Sequence, residues 1–216
     1  MFKSMARPKD HLFLMMAATL LANPFSSCQP IFCEYQEFAV NPPSTILPPA
    51  SAEAKAPDIW HKIEARFITI EYADGIDLES IDRKINERDF LISSLPAARK
   101  TSNIEERISR RMDEIFTRAR EVLDMWPSRL RVKVKIFKDN DELRAEYYKM
   151  FNMSEDLKSF YIYQHNTVYT SAEYISDSVI AHEMAHAIVD HYFSSIPPAK
   201  VRELMASYVD LHLDED

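Results

Sequence analysis

Glycine is nearly missing: Gly75 is the single one in 216 residues, against an average usage of about 7%. With so few positions able to take a positive φ without strain, glycine-rich phosphate loops and dinucleotide fingerprints are excluded. Turns have to come from Pro, Asn, Asp and Ser, and the chain should be rich in helix. Cysteine is scarce too. Cys28 and Cys33 are too few for a disulfide scaffold or an all-cysteine zinc site, although in an oxidising compartment they could close one small loop. Excess positive charge is also lacking. Lys and Arg number 26 against 34 Asp and Glu, a net charge of −8. No basic stripe is present, so a nucleic-acid partner is excluded. What is there, 46% hydrophobic and 28% charged residues, is the balance of a folded chain.

Long apolar runs are short of membrane length. Lys3, Arg7 and Lys9 precede residues 12–22 (LFLMMAATLLA), a stretch that as helix rises about 17 Å against a hydrocarbon core of roughly 30 Å. Residues 1–22 are therefore expected to be a signal peptide, with Leu20-Leu21-Ala22 offering the cleavage site. The chain would be exported to the periplasm, cell envelope or medium, with no integral membrane span after processing. Phe25-Ser26-Ser27-Cys28 partly matches a lipobox, Phe being wrong at its first position, which makes Cys28 a candidate lipid anchor. Residues 41–57 hold five of the twelve prolines, so residues 23–57 read as a stiff tether. The folded unit is expected over 58–216, enough for one core.

Within it, 65–72 (ARFITIEY) alternates Phe67, Thr69 and Glu71 against Ile68, Ile70 and Tyr72, a strand ending at Asp74-Gly75. Helix is expected over 76–90, then a loop with Pro96. Ser102 and Glu105 form a capping box for a helix carrying Ile108, Met112, Ile115, Ala119 and Val122, which Pro127 stops. Residues 131–137 (RVKVKIF) predict a strand with one wet face. Asp139-Asn140 start a short helix to Met150. Residues 159–164 and 167–170 predict a hairpin around a two-residue turn, His165-Asn166. Helices follow over 177–193, capped by Ser176 or Asp177, and over 199–213 after Pro197-Pro198. The class is α+β.

His182-Glu183-Met184-Ala185-His186 reads H-E-x-x-H. Chance supplies this pattern in such a composition about 2% of the time. On a helix, residues four apart share a face, so His182 and His186 can offer two imidazole nitrogens to one ion. Glu183 points about 100° around the helix, beside the ion, where a carboxylate can move a proton. A third ligand and an open position are needed. Gly and His at positions 189 and 192 would extend the motif, but Val189 and Tyr192 stand there. Glu203, on the next helix, could be brought back beside the histidines by an antiparallel helix pair; a solvated surface glutamate is the plain alternative. The other five histidines have no such partner, and His191 faces away from His186 by about 140°.

The segment AHEMAHAIVDHYFSSIPPAKVRELMASYVD resembles the gluzincin metallopeptidases of the thermolysin-like clan, and within them the short bacterial peptidase MA-like proteins. Pro198, Glu203, Ala206 and Tyr208 fall on matching positions of that family's downstream motif, and Val201 stands for its Leu. Lys200 and Leu204 depart from its Trp and Gly. The resemblance implies a zincin-like minimal domain over 58–216: a small mixed sheet, an edge hairpin packed on the H-E-x-x-H helix, and a following third-ligand helix. It implies one Zn2+ held by His182, His186 and Glu203, with Glu183 as general base. Ser207 stands where thermolysin-like enzymes carry an Asp that orients a ligand histidine, and Asp210 lies one turn further on. Larger relatives draw an electrophilic His or Tyr from a later subdomain, whereas thirteen residues follow Glu203 here. Tyr208 is the first candidate for that role, ahead of Tyr161, Tyr163, Tyr169 and Tyr192.

The expected function is zinc-dependent peptide hydrolysis on a peptide or protein substrate, with one arm of the hairpin as its docking strand or simply as scaffold. The alternative is a non-catalytic, zinc-containing pseudo-peptidase acting as an envelope binding or assembly protein. A cytosolic regulator would follow if residues 1–22 are no signal.

Overall fold

A computed structural model describes residues 59–86 and 103–213. The expected signal peptide, the tether, Cys28, Pro96 and the Ser102 capping position lie outside the described residues.

The described residues begin with a hairpin, β1 (Trp60–Glu64) and β2 (Ile68–Ala73). Ile68, Ile70 and Tyr72 are buried on one face of β2 and Thr69 and Glu71 are half-exposed on the other, as the alternation requires. β1 carries no such pattern: only Ile63 is buried. The strand expected from residue 65 therefore starts later, and residues 65–67 form the turn, where Asp113 accepts from the Arg66 and Phe67 backbone N–H groups at 2.8 Å. Gly75 takes φ 80° just after β2, and no atom lies within 4 Å of where its Cβ would sit. Conformation rather than space calls for glycine there.

Helix α1 (Leu78–Ile85) is capped by Asp77, and α2 (Ile104–Leu123) follows. Helix α2 ends three residues before Trp126 with Asp124 left-handed at φ 50°, so a C-terminal cap rather than Pro127 stops it. Strand β3 (Val132–Phe137) buries Val132, Val134 and Ile136; its second face is only partly wet, since Lys135 lies over the Trp60 ring. Helix α3 (Asn140–Phe151) starts on Asp139, whose side chain accepts from the Glu142 N–H.

Strands β4 (Ser159–Ile162) and β5 (Thr167–Ser171) form the second hairpin. Its connection is longer than the two-residue turn expected. Tyr163–His165 makes one 3-10 turn, closed by Asn166 at φ 51°. Tyr161 donates to Asn166 Oδ1 and Asn166 to the Arg131 carbonyl, so contacts with the side chain before the turn and with the residue that precedes β3 fix the wider loop.

The sheet order is β1-β2-β3-β5-β4. The central pairings β2–β3 and β3–β5 are parallel, and both outer ones are antiparallel. One face carries the main core, which includes α1, α2, α4 (Asp177–Tyr192) and α5 (Ala199–His212). The opposite face carries a smaller aromatic cluster of Phe137, Phe160 and Tyr169 against Tyr147 and Phe151 of α3. The architecture is α+β, with a five-stranded mixed sheet and five α-helices among the described residues. None of those helices is long and apolar enough to cross a membrane.

Candidate metal centre

Helix α4 is held on almost every side. Ser176 caps it, accepting from the Val179 N–H at 3.2 Å. Ile180, Ala181, Met184, Ala185, Ala187, Ile188 and Val189 are all fully buried, the signature of a core helix. The alanines let neighbouring elements approach closely, so the polar residues on α4 are buried with them. Among these are Glu183, His186 and Asp190.

His182 and His186 project one turn apart, their ring centroids 4.9 Å from each other. After residues 193–198 reverse the chain, the first turns of α5 return Glu203 to them. Its Oε2 lies 3.5 Å from His182 Nε2 and its Oε1 3.4 Å from His186 Nε2. These separations exceed those of well-formed N–H···O hydrogen bonds. They match the roughly 3.3–3.4 Å between donors that each sit about 2.0–2.1 Å from one tetrahedral ion. His182, His186 and Glu203 thus form a group, its ligand atoms within 4.8 Å of one another, that could hold a metal ion. The antiparallel helix pair expected from the sequence brings all three together.

The electrostatics suit such a donor set. Burial, joined by His182 and Arg202 and opposed by Glu203, lowers the His186 pKa to about 4, so the imidazole is neutral near pH 7 and its lone pair is free to bind. Its buried Nδ1 has no hydrogen-bond partner among the described residues. Burial would also lower His182, but Glu203, Glu183 and Asp210 outweigh it and raise that pKa. The side chains of His182 and Glu203 keep 23% and 26% of their exposure, so solvent reaches the group from their side.

Glu183 lies alongside, buried, and Ser159 of the edge strand β4 donates to its Oε1 at 2.6 Å. Burial raises the Glu183 pKa, against His182 and Ser159. Sequence reasoning missed Ser159. Its one advance signal is parity along β4, which puts it on the same face as Tyr161 and towards α4. One turn beyond His186, Asp190 Oδ2 lies 3.4 Å from the Arg202 guanidinium, both buried. Arg202 immediately precedes Glu203, so this pair sets the register of α5 on α4.

Other residues lie elsewhere. Tyr208 sits about 140° around α5 from Glu203, exposed, its ring stacked on His212 at 4.0 Å; the fold does not bring it to the group. Tyr169 belongs to the opposite face of the sheet, Tyr163 packs on His191, and Tyr192 on Phe193. Ser207 is exposed, whereas Asp210, on the Glu203 side of α5, is the residue whose charge reaches His182. A cavity of about 670 Å³ between the β1–β2 turn and α2 contains none of the group.

Compared with protein-family models, curated proteins and solved structures, the chain matches none.

Proposed function

We propose that the chain is a gluzincin-type zinc peptidase on a zincin-like scaffold, with His182, His186 and Glu203 holding Zn2+ and Glu183 as general base. The observation that carries this reading is the approach of the Glu203 carboxylate to both imidazoles, with Glu183 one residue from the first of them. Zinc would supply Lewis acidity towards a peptide carbonyl and lower the pKa of a water towards about 7.

The protein groups do the rest. Glu183 takes a proton from the attacking water and later passes it to the departing amine nitrogen. Ser159 holds Glu183 Oε1, which leaves Oε2 for the proton. The raised Glu183 pKa brings the acid nearer the working pH, where one group can both accept and donate.

Metal content tests the donor set. Purified protein should retain zinc after dialysis, whereas Glu203→Ala should lose affinity by well over the 10–100-fold typical of altering residues behind the ligands. Unchanged zinc in that variant would remove Glu203 from the site. Affinity should also fall with pH. Protons compete for His182 as pH drops through its raised pKa, so the loss begins above the pH at which an unperturbed imidazole would titrate. A titration at several pH values checks the sign.

Ser159→Ala removes a hydrogen bond to an ionised acid, worth about 1.5–3 kcal/mol. Turnover should fall on the order of tenfold while KM and zinc content hold, and Ser159→Thr should restore much of it. Steady-state kinetics with a peptide substrate decide; equal turnover in Ser159→Ala would strip Ser159 of a role.

A further inference from the structure

Ten large hydrophobic side chains are exposed among the described residues, and seven fall between Tyr192 and Leu211. Four run down α5 at intervals of three, four and three: Val201, Leu204, Tyr208 and Leu211. Leu204 and Leu211 are 71% and 75% exposed. Helix α5 already has an inner seam, with Ala206 and Val209 fully buried against the core, so the outer stripe is not what holds it to the fold. Its three-four-three spacing is that of two helices meeting side by side, knob into hole.

A lipid surface fits the stripe poorly. Interfacial helices flank their apolar face with Lys and Arg, whereas Lys200 and Ser207 border one side here, Met205 and His212 the other, and the chain carries a net −8. A second copy fits better. In an antiparallel pair Val201 meets the partner's Leu211 and Leu204 meets the partner's Tyr208. The N-terminal end of one helix, which carries exposed Lys200, then lies beside the C-terminal end of the other, where the helix dipole favours a cation, while a parallel pair would set like ends together. The four side chains of the stripe supply the apolar centre of such a seam, and Tyr192, Phe193 and Ile196 add exposed apolar surface just before α5, towards the roughly 800 Å² that each side of a specific interface buries.

We propose that the outer face of α5 is the seam of a twofold dimer, formed by antiparallel packing of α5 against α5 of a second copy. Glu203 sits about 100° around the helix from Leu204, so the second copy stands beside the metal centre and does not cover it. This inference does not depend on the peptidase reading.

Sedimentation equilibrium of the purified chain tests it. The expected result is twice the single-chain mass at micromolar concentration, and a single-chain mass for Leu204→Glu/Leu211→Glu with unchanged circular dichroism and a melting temperature that no longer rises with protein concentration. Lys200→Glu should weaken the dimer several-fold, more at low salt than at high. A single-chain mass for the native protein at about 100 µM would overturn the proposal. So would a dimer that survives Leu204→Glu/Leu211→Glu, or flotation of the single chain with vesicles of phosphatidylcholine and phosphatidylglycerol.

Discussion

Glu183→Gln is expected to keep stoichiometric zinc while peptide cleavage falls by about 10²–10⁴-fold, the usual contribution of a positioned acid–base group. The amide has the size of the carboxylate and still accepts from Ser159 through its oxygen, so the side chain stays in place. It has no basic oxygen to take the proton of water. Glu183 is buried and its pKa is raised by that burial, which means that keeping the acid ionised costs the fold stability. The variant should therefore melt no lower than the native protein. Kinetics, zinc analysis and a thermal scan on one preparation separate the outcomes. Full cleavage with zinc in place would end the role of Glu183 as base. Cleavage absent from the native protein as well, with zinc bound, would favour the non-catalytic alternative.

The second large effect is on stability. Asp190→Ala withdraws the carboxylate that faces Arg202 inside the α4–α5 packing. Breaking a buried ion pair from one side typically costs about 3–5 kcal/mol. Burial raises the Asp190 pKa despite Arg202, so the guanidinium offsets only part of what it costs to keep that carboxylate ionised. The double change Asp190→Leu/Arg202→Met should accordingly lie near the native value or above it by up to about 4 kcal/mol. Urea unfolding of both variants gives the comparison. A loss under about 1 kcal/mol in Asp190→Ala would put the pair in solvent rather than in the packing. Because Arg202 precedes Glu203, the same substitution should loosen zinc, linking a packing contact to the aim of a ligand.

What could be read in advance followed how much of the information is local. The metal helix announces itself through Ser176, the apolar run and His182-Glu183-x-x-His186, all within one short stretch. Glu203 was legible in part: the short turn after α4, with Pro197-Pro198, allows an antiparallel return, while the choice of a ligand over a solvated glutamate came from the family resemblance. Strand β1 was not legible. As an edge strand it buries one residue, Ile63, and borrows its conformation from pairing with β2. The turn at Tyr163–Asn166 is longer than the local sequence implies because its length depends on Asn166 reaching the Arg131 carbonyl, 35 residues away in the chain. Ser159 could not be singled out for a similar reason: it meets Glu183 across 24 residues. Tyr208 matched a motif by position, but its angle on α5 turns it outward.

All three imidazole and carboxylate donors come from residues 182–203, one helical hairpin in which the closing loop is short. Little chain entropy is left to lose when a cation bridges them, because the fold has already brought the ends together. Binding and release of an ion would thus leave the last helix seated on its neighbour, through Ala206, Val209 and the Asp190–Arg202 pair, and ask only three side chains to adjust.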